Sequence, residues 1–420
     1  MATDEPARPS PAHRLARMVG RSPHEAGRVA SPLELFFDLT FVIAFSAASA
    51  ELAHSVAAGH LRTGLIGFAF SVFAIAWAWI NFTWFASAYD SDDWLYRITT
   101  MVQMVGVLIL AIGIPALFHS LEEGHHLDNR VIVIGYVVMR VAMIAQWLRV
   151  ARGDRERRRT ALTYVASIAI AQVGWVAVAA FDMSLGATFA ATLPLYLIEL
   201  AGPWVAERRG GTPWHAHHIA ERYGLLAIIA LGECLIGTIA SLSAIVERAG
   251  WTVETAIVGL AGTGLAFGIW WMYFLCPFGE ILHHRRGLAF LWGYGHIVVW
   301  GAIAATGAGL HVAAYRIEGE TAIGLTGVVA AVAVPAAVLV LSLGGLYNLL
   351  LGPDRMHVAL IALDLAILAL AVILAAAGAS LATCLVVVML APLPSIVADE
   401  IAGARRRERA LERLGPTRTS

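Results

Sequence analysis

"SPLELFFDLTF" (residues 31–41) opens a run apolar enough to cross a membrane, yet Glu34 and Asp38 stand in it one helical turn apart. On a soluble helix those carboxylates would sit on a wet face. The rest of the chain argues against that setting. Of 420 residues, 59% are hydrophobic and only 14% charged, with a mean hydropathy of +0.72. A soluble chain of this length carries about a quarter charged residues to cover its surface. Apolar runs of about 20 residues recur from end to end, and the alternating ten-residue strands of a membrane barrel are absent. The chain therefore reads as all-α, a polytopic transmembrane helical bundle.

About twelve spans are expected, at roughly 33–56, 64–88, 95–118, 130–150, 160–181, 187–206, 219–242, 252–275, 287–312, 321–343, 357–377 and 380–398. The weakest break is the last, where "AAAGAS" is the only turn signal. The first 30 residues are rich in Pro and Arg and lack an apolar signal-peptide core, so the first span is expected to direct insertion. Residues 1–30 then form a basic N-terminal tail, 31–206 a first six-helix half, 207–398 a second half and 399–420 a basic C-terminal tail.

Arginine placement predicts orientation. With the N-terminus in the cytoplasm, 23 arginines fall in inner segments, including "RVARGDRERRR" and "ARRRERALERLG". Four (Arg62, Arg130, Arg248, Arg316) fall in outer loops and two (Arg140, Arg222) within spans, completing the 29. Such a bias predicts both termini in the cytoplasm and a place in the cell membrane. Residues 399–414 read as a basic helix lying against anionic lipid headgroups. No segment indicates nucleic-acid binding.

All 29 basic residues are arginine, which excludes a Walker phosphate loop and a Schiff-base lysine. Cys234, Cys276 and Cys384 lie singly in apolar surroundings, so no disulfide framework is indicated. The histidines of "WHAHH" (His215, His217, His218) and His283 and His284 have no recognised metal spacing. Neither a metal nor a cofactor is expected.

The two halves echo each other weakly. Glu34 opens the first span and Glu221 the seventh, and "WAWINFTWF" in the second span has a counterpart in "IWWMYF" of the eighth. Glu34 to Trp79 is 45 residues, and Glu221 to Trp271 is 50. Copies six spans apart would share orientation, as in a 6+6 parallel repeat.

The ionisable residues within the spans carry the functional reading. Ser31, Pro32 and Glu34 fit the cap, first and third positions of a capping box. Asp38 lies one turn deeper, beyond any cap. In "HAHHIAERYGLLAIIALGECLIG" the side chains of His218, Arg222 and Glu233 fall near one face, and Gly224, Gly232 and Gly237 would let another helix approach. Arg140, ten residues into the fourth span, demands a carboxylate partner; Asp38, Glu199 and Glu233 all qualify. The deep acids Asp38, Glu199, Glu233 and Asp364 outnumber the deep bases, so some are expected to hold protons. Carboxylates that gain and lose protons in a bundle are the parts of a proton or cation relay. His296 in "WGYGHIVVWG" can join such a relay or serve as an ordinary hydrogen-bonded core histidine.

These segments carry a resemblance. "SPLELFFDLTFVIAFS", "HHIAERYGLLAIIALGE", the following "WWMYF" and "WGYGHIVVWGAIAATGAG" resemble the low temperature requirement A (LtrA) family of bacterial membrane proteins, over about residues 31–395. The resemblance implies Glu34, Asp38, His218, Glu221, Arg222 and Glu233 as signature positions. One departure is that "YFLCPFGE" delays the acid that usually ends the eighth-span motif to Glu280. The family is known by growth in the cold, which leaves mechanism to the residues. They point first to a proton- or cation-coupled secondary transporter of a small solute. The other readings are an intramembrane lipid enzyme using Glu221 or His218, and a non-catalytic scaffold or sensor.

Overall fold

In a computed structural model, residues 15–181, 183–401 and 403 are described. The expected lipid-facing helix at 399–414 lies, from residue 404 on, outside the described residues. Among the described residues, twelve helical segments are long and apolar enough to cross a membrane. Among the described residues the only extended pairing is an isolated bridge between His126 and Ser184. The bundle is all-α.

The first six helices are α1 (Pro32–Ala57), α2 (Leu61–Tyr89), α3 (Trp94–Glu123), α4 (Arg130–Gly153), α5 (Arg158–Ala180) and α6 (Leu185–Glu207). Then come α7 (Ala216–Ala249), α8 (Val253–Phe274), the short α9 (Phe278–His284), α10 (Ala289–Glu318), α11 (Leu325–Leu351), α12 (Arg355–Ala376) and α13 (Leu381–Leu390). Here α8 and α9 together make one span, and α13 continues past Pro392 and Pro394 to Ile401. The "AAAGAS" turn is real: Gly378 takes φ +88° between α12 and α13, a left-handed conformation that glycine adopts without a Cβ clash.

Capping places α1. Glu34 N–H donates to Ser31 Oγ (3.3 Å) while Glu34 Oε2 accepts from Ser31 N–H (2.8 Å), the reciprocal box expected from the sequence. Asp93 caps α3 by a single bond, its Oδ1 accepting from Tyr96 N–H (2.9 Å).

Packing follows a similar order of neighbours in the two halves. In the first, α1 packs on α2 and α3, then α3 on α4, α4 on α5 and α5 on α6. In the second, α7 packs on α8 and α10, then α10 on α11, α11 on α12 and α12 on α13. The halves meet through α1 against α7 and α10, and α2 also reaches α10 and α7. Of the twelve spans, α10 is the most completely covered and α12 the least.

The α7–α10 crossing depends on glycine. A Cβ on Gly307 would lie 2.5 Å from the backbone carbon of Glu233, and one on Gly237 would lie 2.5 Å from Gly307 O. Close backbone approach of this kind lets two helices pack tightly where lipid supplies no hydrophobic drive between them. Gly224 faces the ring of Phe274, whereas Gly232, also expected to admit a neighbouring helix, has open space where a Cβ would sit.

Candidate functional site

The opening pair of carboxylates meets α7. Arg222 Nη2 lies 2.6 Å from Asp38 Oδ1, Arg222 Nε 3.2 Å from Asp38 Oδ2, and Arg222 Nη1 2.7 Å from Glu34 Oε1. His218, one turn before Arg222 on α7, brings Nε2 to 3.2 Å from Glu34 Oε1. None of these four side chains is more than 1% exposed. Glu34 therefore does two jobs at once: it closes a helix end and accepts a cation from the opposite half.

Trp79 of α2 completes the cluster by donating its indole N–H to Asp38 Oδ1 (2.7 Å). Its ring stands edge-on to Tyr223 and Trp300, and Trp84 donates to the Tyr223 hydroxyl (2.9 Å). Sequence reading used Trp79 only as a repeat marker. The missed signal was that a buried indole N–H needs an acceptor. Its expected counterpart Trp271 differs: it is 46% exposed and donates to Glu400 (2.9 Å).

Further along the same two helices, Glu233 of α7 interacts with Ser46 and Ser49 of α1. The positions 34, 38, 46 and 49 thus face 218, 222 and 233, and the one helical face inferred for α7 is the face that meets α1. Glu221 points the other way and is exposed.

Arg140 finds Glu199. The distance is 3.0 Å, between α4 and α6, and Asp38 and Glu233 are engaged elsewhere. Trp77 donates to the same Glu199 oxygen (2.6 Å), and Arg140 donates to Tyr136 (3.2 Å), lying 4.8 Å from that ring's centre. Asp364 lies apart on α12, where it accepts from Ser395 Oγ.

His296 has both ring nitrogens engaged. Nδ1 lies 2.9 Å from Trp292 O, to which it donates, leaving Nε2 (3.1 Å) to accept from the Tyr273 hydroxyl. Aromatic rings surround it. This is the core-histidine arrangement.

The sequence candidates therefore divide among separate groups. Asp38, Glu34, His218 and Arg222 form one; Glu199 and Arg140 a second; Glu233 with two serines a third; Asp364 with Ser395 a fourth. Three acids, Glu34, Asp38 and Glu199, have arginine partners, whereas Glu233 and Asp364 have none among the described residues.

At the edge of the bundle on the N-terminal side, Arg28 (3.7 Å) and Arg21 (3.9 Å) approach Asp90, the residue that follows α2. Burial, together with the nearby Glu34 charge, pushes the Asp90 carboxyl above its ordinary value despite these arginines. His24, His217 and His283 gather nearby, with ring centres 5.8 and 6.0 Å apart in sequence-distant pairs.

The family model for the bacterial low temperature requirement A protein (LtrA) matches residues 29–392. The chain belongs to the LtrA family. The matched region takes in all four buried groups of this LtrA protein except Ser395. An uncharacterized protein of Rhizobium meliloti (strain 1021), RA0937, is 26% identical over 292 residues, covering 66% of this chain and 67% of that protein. No solved structure matches this LtrA chain.

Proposed function

We propose that this LtrA protein is a proton-coupled secondary transporter of a small solute in the cell membrane, with both termini cytoplasmic. One observation carries the reading: a single guanidinium holds two buried carboxylates across the junction of the halves. With Glu34 and Asp38 ionised and Arg222 charged, the cluster is one negative charge in surplus. It balances when one proton resides in it, and His218 against Glu34 is a place for that proton. A dry cluster that changes charge by one on binding a proton favours two packings of α1 against α7 unequally, which is what coupling requires.

The matching neighbour order supports reading 31–206 and 207–398 as parallel copies that move against each other. The basic C-terminal tail would then rest on anionic lipid headgroups. For the lipid-enzyme reading, which names Glu221 or His218, His218 has no exposed surface from which to reach a substrate, and only Glu221 is exposed.

Proton and solute flux in proteoliposomes tests the reading. Asp38→Asn/Glu233→Gln is expected to uncouple or abolish flux driven by a pH gradient. Equal flux from this double variant and the wild type would remove these acids from the mechanism, and no gradient-driven flux in the wild type would remove transport itself.

A further inference from the structure

Residues 15–31 run as a strap across one end of the bundle before α1 begins. Arg17 donates to Gly153 O (2.8 Å), Arg21 N–H to Ala88 O (2.9 Å) and Arg28 to Ala86 O (3.2 Å), which fastens the strap to α2 and α4. Toward α7 and α9 it meets imidazoles instead. His24 stands edge-on to His283 with ring centres 5.8 Å apart, His283 lies 6.0 Å from His217, and His217 lies 5.9 Å from His215. A cavity opens among these rings, of about 680 Å³ with the solvent at its mouth included.

His215 is also part of a helix end. It is the N-cap of α7: its Nδ1 accepts from His218 N–H (3.2 Å), while its backbone N–H donates to Ser87 Oγ (3.0 Å). A ring nitrogen that accepts carries no hydrogen, so this imidazole is neutral with its proton on Nε2. A second proton can enter only at Nδ1. It would cancel the cap and set a positive charge against the positive end of the α7 dipole.

The surroundings oppose that charge. His217 and His218 of α7 and Arg28 of the strap all act against it, and His24 and His283 share its cavity. Arg286 stands behind, donating to Trp214 O (2.7 Å). On the other side, the Glu25 carboxylate is held by Arg21 (2.6 Å), and only the Glu25 backbone carbonyl favours a charged ring. Asp90 is engaged by Arg28, and Glu34 by Arg222 and His218; Glu221 and Glu280 are exposed. Burial and the flanking histidines prevail, holding the His215 ring below its ordinary value. The ring is 8% exposed and borders the open cavity, so protons reach it from solvent.

We propose that His215 is a pH-operated latch at this end of the bundle. On gaining a proton at Nδ1 the ring gives up the α7 cap, and its charge repels Arg28 and the imidazoles around it. The strap then parts from α7 and α9 while staying bonded to α2 and α4. The turn that loosens is the one carrying His218, the partner of Glu34.

The inference does not depend on transport, because it is read from backbone exchange without a solute. Hydrogen–deuterium exchange of the full chain in detergent would compare residues 21–30 and 216–222 at about pH 8 and about pH 5.5, on either side of an ordinary histidine. After correction for the intrinsic pH dependence of exchange, both segments should open about tenfold more often at the lower pH, with α10 unchanged. His215→Asn, whose side chain caps a helix without titrating, should keep both segments closed at both pH values. His215→Ala should leave the first turn of α7 open at both. Equal opening of the wild type at the two pH values would overturn the proposal. So would a wild-type pH response in His215→Asn, which would move the sensor to another histidine. If His215→Ala fails to fold, the wild type and His215→Asn decide the matter.

Discussion

Arg222 and Asp38 lie 2.6 Å apart although 184 residues separate them, and their contact ties the first helix of one half to the first helix of the other. The same guanidinium reaches Glu34 (2.7 Å), so removing it strands two carboxylates in a dry interior. Arg222→Gln should cost about 3–5 kcal/mol, read as a loss of thermal stability in detergent. Adding Asp38→Asn should recover part of that loss. Arg222→Lys should not restore the wild type, because an ammonium cannot reproduce the forked contact with Asp38 while also reaching Glu34.

Arg140 and Glu199 form a second dry pair, joining α4 to α6 at 3.0 Å. A double-mutant cycle with Arg140→Met and Glu199→Gln should give a coupling energy of about 1–3 kcal/mol. Independent, additive losses would show that Trp77 and Tyr136 hold these side chains without help from the charges.

Asp90 should respond to pH. Its carboxyl is raised by burial and by Glu34, so in the folded chain it keeps its proton to higher pH than in the unfolded chain. Folding then takes up a proton, and stability falls as pH rises from about 4 through the raised value. Asp90→Asn is expected to raise the melting temperature at neutral pH, with the gain shrinking as pH approaches 4. A gain independent of pH would exclude the buried charge as its cause.

Two glycines of α7 should behave oppositely. Gly237→Ala places a methyl 2.5 Å from Gly307 O and should cost about 1–3 kcal/mol by forcing α7 and α10 apart. Gly232→Ala meets open space and should be neutral or stabilising by up to about 1 kcal/mol. Melting curves of the two variants distinguish a packing glycine from an incidental one.

Asp93 caps α3 and pairs with Arg149 at 2.6 Å. Burial opposes its ionisation, yet the Tyr96 N–H and Arg149 hold its carboxyl below the ordinary value. Asp93→Ala should lower stability by about 1–2 kcal/mol at neutral pH. The wild-type advantage should vanish as pH falls below about 4 and through the lowered value.

The sequence alone determined the class, the twelve spans and the capping box at Ser31, because hydropathy, span length and caps are local properties that each segment carries wherever it packs. It also marked which polar side chains stand in apolar surroundings. Partnership was a different matter. Three acids were equally suitable for Arg140, and only the fold chose Glu199, because that choice depends on which helices lie side by side. Glu34 read as a cap and is also a counter-ion to Arg222; Trp79 read as a marker of the internal echo and is the donor that holds Asp38. His296 read as a candidate for proton transfer and has both nitrogens committed. Contacts between residues scores to hundreds of positions apart leave no periodic mark in a chain, so the tertiary structure decided which acids meet an arginine and which, like Asp364 beside Ser395, meet none among the described residues.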